Sequence, residues 1–117
     1  MQTLAFALPL TPGKTEEWKS WSNEMAGARQ SDYRASRRRL GITTERAYSQ
    51  QTPMGDMAIV YIEAEDLQQV FGGLATSPDP FDVWFRERVK DLHNGVDLAQ
   101  QPPPFPLPMQ VFDGLAR

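Results

Sequence analysis

Residues 42–62, ITTERAYSQQTPMGDMAIVYI, change character in the middle. The first arm, Ile42 to Gln51, is half polar with weak alternation. The last six residues, Met57 to Ile62, are wholly apolar and rich in β-branched and aromatic side chains. Between them stands Thr52-Pro53-Met54-Gly55-Asp56, where proline fixes one φ angle and glycine admits a positive one. Two runs of strand character joined by such a turn predict an antiparallel hairpin with one polar and one greasy arm.

Upstream, Gly41 is placed to stop a helix over Ser31 to Leu40 as its left-handed C-terminal residue. Trp18, Trp21, Met25 and Ala28 recur at spacings of three, four and three, the mark of an amphipathic helix on a core. Thr11 and Pro12 read as its N-cap and first residue, with Glu16 and Glu17 on the favourable side of its dipole. Thr3 to Leu8 is nearly continuous apolar chain ending at proline, as in a strand buried on both faces. Downstream, Asp66 caps a short helix from Leu67 to about Ala75. Asp79-Pro80 starts another, on which Phe81, Trp84, Phe85, Val89 and Leu92 share a face. Asn94-Gly95 closes it. A connector with Pro102, Pro103, Pro104, Pro106 and Pro108 leads to a last short strand, Met109 to Phe112.

The order is therefore βαββαβ over a single domain, residues 1–117. Right-handed crossovers turn it into an α+β, ferredoxin-like fold with a four-stranded antiparallel sheet and helices on one face. The two greasy strands take the centre and leave an apolar face uncovered. A second copy of the same sheet covers it most economically, as an isologous homodimer through the sheet face.

Composition narrows the function classes. A chain of 117 residues buries about two-thirds of its unfolded surface, enough for a core without staples. With no cysteine there is no disulfide and no thiolate chemistry, which favours a cytoplasmic protein. Leu4 to Leu10 lacks a preceding basic region and is interrupted by Pro9, so it reads as structure and not as a targeting peptide. No segment approaches the roughly 18 apolar residues of a membrane span. The net charge is −3, yet residues 29–46 hold six arginines against Asp32 and Glu45. That basic segment is either an anion-binding face or a solvated helix face. In the Arg37-Arg38-Arg39 run, successive residues point about 100° apart, which predicts one arginine inward and two solvated.

The strand followed by Pro12-Gly13-Lys14 resembles the dimeric α/β-barrel superfamily, which includes the antibiotic-biosynthesis-monooxygenase-like proteins. Four segments further resemble an uncharacterised bacterial family of that fold: Arg38-Arg39-Leu40-Gly41-Ile42, Gln51-Thr52-Pro53-Met54-Gly55-Asp56, Asp79-Pro80-Phe81-Asp82-Val83-Trp84-Phe85 and His93-Asn94-Gly95-Val96-Asp97-Leu98. The resemblance implies pairing as a dimeric barrel. It transfers no reaction, because that superfamily spans cofactor-free oxygenases, isomerases, dehydratases and haem proteins.

His93 is the single histidine. It serves either as a partner for the last carbonyls of its helix or as a general acid or base, with Asp97 orienting the ring. Trp18, Trp21 and Trp84 have the phase of a core. In the ligand-binding reading they join Arg37, Gln50 and Tyr61 around a pocket between sheet and helices, with Tyr48 as a catalytic partner of His93. One histidine excludes a multi-histidine metal centre. The carboxylates Glu63, Glu65, Asp66, Asp79 and Asp82 sit at helix starts, where capping accounts for them, so neither a metal nor a cofactor is expected. RNA-recognition modules share the βαββαβ order, but the third strand here carries one aromatic and no basic residue, which argues against nucleic acid. Two functions remain. One is binding of a small apolar or aromatic molecule, with or without cofactor-free monooxygenase- or isomerase-like chemistry. The other is a non-catalytic homodimeric protein-interaction module.

Overall fold

The computed structural model describes residues 1–100 and 107–115. The chain runs β1 (Gln2–Pro9), α1 (Thr15–Ala26), α2 (Gln30–Leu40), β2 (Ile42–Thr52), β3 (Gly55–Ala64), α3 (Leu67–Thr76), α4 (Pro80–Leu92) and a 3-10 turn, Leu98–Gln100. The result is an α+β fold with a three-stranded antiparallel sheet in the order β1-β3-β2.

Local chemistry sets most boundaries. Asp66 accepts the Gln69 N–H, and Asp79 accepts the Phe81 N–H with Pro80 beside it, so α3 and α4 start where their caps stand. Gly41 ends α2 at φ 81°, and the Asn94-Gly95 pair follows α4 with φ 53° and 81°. Residues 15–40 form two helices, because Gly27 leaves helical geometry at φ −119°, ψ −98°. The start of α1 differs from expectation. Thr11 does not cap it, since the helix begins at Thr15 after Lys14 and lacks a side-chain cap. The Thr11 hydroxyl instead donates to the Asp91 carbonyl at 3.0 Å and accepts the Asn94 N–H at 2.9 Å. This ties the β1–α1 loop to the end of α4.

Register assigns the two faces of the sheet. Leu4 stands opposite Ile62 and Phe6 opposite Val60 on the face under the helices. There Leu4, Ala58, Ile62 and Ala64 join Trp18, Trp21, Val70, Leu74, Phe81, Phe85 and Leu92 in one buried cluster. On the other face Ala5 and Ala7 lie opposite Tyr61 and Ile59, with Tyr48, Arg46 and Gln50 from β2 alongside. Ala5, Ala7 and Tyr48 are exposed, so β1 is buried on one face and not on both.

One irregularity decides which β2 side chains point inward. Ile42 pairs with Ala64, and Thr44, two residues on, pairs with Glu63. Thr43 is therefore extra, and its hydroxyl donates to the Glu63 carbonyl at 3.1 Å. A one-residue bulge exchanges the faces of all that follows. Glu45, Ala47 and Ser49 go to the helix side, and Arg46, Tyr48 and Gln50 to the open side.

A fourth strand is not among the described residues. Met109 to Phe112 makes no ladder, and Met109, Val111 and Phe112 are 82–91% exposed. Four residues after Pro108, which has no N–H to give, would make few ladder bonds even on a free edge. Residues 102–104 and 106, the rest of the expected proline connector, lie outside the described residues. Among the described residues β1 is bonded only to β3, which leaves its outer edge unpaired there.

Leu92, the last residue of α4, is completely buried in the core cluster. Leu92→Ala is expected to lower unfolding free energy by about 2–5 kcal/mol, read in urea as a lower midpoint at unchanged slope.

Candidate functional site

The proposed catalytic pair is not brought together. His93 is buried at the end of α4, with Nδ1 3.2 Å from the Pro9 carbonyl. That acceptor requires the Nδ1–H tautomer. Burial lowers the ring's pKa from its ordinary value, and the bond to the carbonyl opposes this only in part. Asp97 does not orient His93; it accepts the Ala99 N–H and lies 3.9 Å from Lys90. Tyr48 projects from the open face of the sheet, 56% exposed. Tyr61 shares that face and donates to Glu63 at 2.7 Å. Gln50 is there too, opposite Met57. These positions correct the expectation that both tyrosines face the helices; the bulge at Thr43 reverses the parity of Tyr48.

The space between helices and sheet is filled by aromatics. Trp21 of α1 meets Trp84 of α4 edge-on at 6.4 Å and Phe85 at 5.2 Å, while Phe81 and Trp84 stand 5.5 Å apart. Arg29 closes the outer side, its guanidinium 4.0 Å from the Trp84 ring centroid. Trp18 and Trp21 are thus core, Trp84 is half-buried against it, and the buried Trp21 Nε1 has no hydrogen-bond partner among the described residues.

Of the candidates, Arg37 alone leads to a polar constellation between α2 and the sheet. It is the inward member of its run, 5% exposed, while Arg38 and Arg39 are exposed, as helical geometry predicts. Its Nε donates to Glu45 Oε1 at 2.7 Å, and Tyr33 donates to the same oxygen at 2.5 Å. The guanidinium also lies over the rings of Tyr33 and Phe85, at 4.8 and 4.3 Å. Burial alone raises the carboxyl pKa of Glu45. The Arg37 charge and the bonds from Arg37 and Tyr33 outweigh it, so the net shift is downward. Burial and the neighbouring Glu45 charge push the Tyr33 phenol well up. Both groups therefore keep one protonation state through neutral pH: this constellation holds geometry and does not move protons.

A second carboxylate, this one fully buried, lies behind it. Asp82 accepts from Ser36 at 2.5 Å, Ser77 at 2.6 Å and Arg39 at 3.1 Å. Desolvation works to raise its pKa, and these three donors bring it below the ordinary value. Asp79 does cap α4, but Asp82 does not; it joins α2, the α3–α4 loop and α4.

Two open clefts flank the sheet. One, about 430 Å³, lies by the start of α1 and includes Thr15, Lys19, Gln50 and Asp56. The other, about 350 Å³, lies between α2 and the start of β2, with Tyr33, Arg34, Arg37, Arg38, Ile42 and Glu45 on its walls. Both are polar. Sequence reasoning missed Tyr33, Glu45 and Asp82, since partnership across 8 to 46 residues leaves no local pattern. Among the described residues no group of three or more His, Asp or Glu is placed to hold a metal ion.

Two outcomes test this electrostatic reading. Glu45→Gln leaves a buried guanidinium without its charge partner and is expected to cost about 3–5 kcal/mol in urea unfolding. Arg37→Met combined with Glu45→Leu should recover most of that loss. Because the folded pKa of His93 is depressed, the unfolded chain takes up its proton first. Stability should be complete above about pH 6.5 and fall as pH drops from there toward the folded value. His93→Gln should flatten melting temperature against pH in that window.

A family model described as "Family of unknown function (DUF6176)" matches residues 1–97, from β1 through α4 and the start of the following loop. No curated protein and no solved structure matches the chain. The chain belongs to the DUF6176 family of unknown function.

Proposed function

We propose that the protein is a cytoplasmic homodimer, joined through the open sheet faces as in a dimeric α/β barrel, that holds a small apolar or aromatic molecule between the two sheets. One observation carries this reading: the uncovered face has an apolar floor of Ala5, Ala7, Met57 and Ile59, with the Tyr48 and Tyr61 hydroxyls and the Gln50 amide at its side. Such a surface loses free energy to water, at roughly 25 cal/mol per Å² of apolar area, until something covers it. A second copy covers it with the same composition, and the polar groups become handles in an apolar space. In the full ferredoxin-like form the exposed segment Met109 to Phe112 adds a fourth strand on the open edge of β1. The resemblance of the sequence to the dimeric α/β-barrel superfamily supports the same assembly. His93 lies outside that space, so binding and not proton transfer is the role assigned. Monooxygenase- or isomerase-like chemistry would have to come from the tyrosines or the ligand itself.

The second reading, a homodimeric protein-interaction module without a ligand, is favoured by the filling of the helix–sheet interior with Trp18, Trp21 and Trp84.

Native mass spectrometry of gently purified protein should show twice the 13.2 kDa chain mass plus a small-molecule increment. Ile59→Glu places a charge in the middle of the face and should give a monomer without the increment. Tyr48→Phe should keep the dimer and reduce ligand occupancy. A wild-type monomer at micromolar concentration, or an unchanged dimer from Ile59→Glu, refutes the assembly. A clean dimer whose melting temperature no metabolite shifts transfers support to the interaction module.

A further inference from the structure

A second site, independent of the sheet face, lies on the helix side of β2. We propose that the cleft between α2 and β2 binds a small organic phosphate monoester, with Arg34 and Arg38 as the phosphate clamp.

Arg34 and Arg38 are one helical turn apart, so both guanidinium groups rise from one face of α2 with Cβ atoms about 6 Å apart. Both are exposed, and both line the cleft. The neighbouring arginines are committed elsewhere: Arg29 to Asp32, Arg37 to Glu45, and Arg39 to Asp79 and Asp82. Neither Arg34 nor Arg38 has a side-chain partner among the described residues. The walls of the cleft thus carry three guanidinium groups against one carboxylate, Glu45, which Arg37 and Tyr33 already saturate. The net field belongs to Arg34 and Arg38.

Arginines in the last turn of a helix also complement its dipole, and Arg37, Arg38 and Arg39 occupy that turn in α2. That role does not account for Arg34, one turn earlier. Nor does it account for a concave setting of about 350 Å³, room for a phosphate and a small organic body. A phosphate monoester brings close to two negative charges at neutral pH and three acceptor oxygens, enough for two planar guanidinium forks at once. A monocarboxylate brings one charge and two oxygens. The Tyr33 ring and Ile42 offer the organic part an apolar wall.

The test is a titration of the ¹⁵N-labelled full chain at low salt with phenyl phosphate, inorganic phosphate and benzoate, followed by amide chemical shifts. Phenyl phosphate is expected to give saturable shifts confined to residues 33–45, with inorganic phosphate weaker at the same amides and benzoate weakest. Arg34→Gln combined with Arg38→Gln should weaken phenyl phosphate by at least about tenfold. Both side chains are exposed, so the remaining amide resonances should stay in place and report an intact fold. Absence of saturable shifts at millimolar phenyl phosphate, shifts centred elsewhere, equal response to all three anions, or unchanged affinity in the double variant each overturns the assignment. None of these outcomes depends on whether the sheet faces pair, so this site and the homodimer fail or stand separately.

Discussion

Thr43, the one extra residue of β2, governs the placement of everything between α2 and the sheet. A regular strand that buried Ile42 would also turn Thr44, Arg46 and Tyr48 toward the helices. It would set Glu45 out in water. The bulge reverses this and brings one carboxylate under α2, where it meets the single inward arginine of that helix. A buried guanidinium is costly alone and is tolerable here because the half-buried carboxylate pairs with it. The pairing consequently fixes the rotation of α2 about its axis. Arg38 and Arg34 then face the cleft, and Arg39 faces α4.

The carboxylate of Asp82 extends this order across the helical layer. From its place on α4 it takes two donors from α2 and one from the α3–α4 loop, so these three parts of the chain hold one another by directed bonds as well as by apolar contact. Beside that polar seam the aromatic seam of α1 and α4 packs solidly. Between them they leave little interior space, and the surfaces available for recognition are those the core does not use: the outer face of the sheet and the clefts at its margins.

Much of this was legible from residue order. The two greasy strands, the turn at Pro53–Gly55, the caps Asp66 and Asp79 and the stops Gly41 and Asn94-Gly95 are local signals, and each acts within a few residues. The inward Arg37 followed from helical geometry. The face of Tyr48 did not, because a bulge has no dependable signature in a strand already rich in threonine, and a slip of one residue reverses every side chain beyond it. The Thr11 cap failed for a related reason. Its hydroxyl found better partners in the end of α4, 80 residues away, than in the helix beside it. Glu45 and Asp82 could be read only as surface or capping carboxylates, since their partners are set by tertiary packing. The last strand rests on four residues, three of them apolar, and apolar content alone does not specify pairing.

The placement of the tryptophans has an optical consequence. All three indoles sit on α1 and α4, and the strands carry none. Tryptophan emission and the indole bands of near-ultraviolet dichroism therefore report the docking of those two helices, one indole lying beside a cation at 4.0 Å. Far-ultraviolet dichroism averages over the whole backbone, strands included. The protein thus carries separate built-in reporters for its helical layer and for its fold as a whole, and their coincidence on denaturation measures how tightly sheet and helices are coupled.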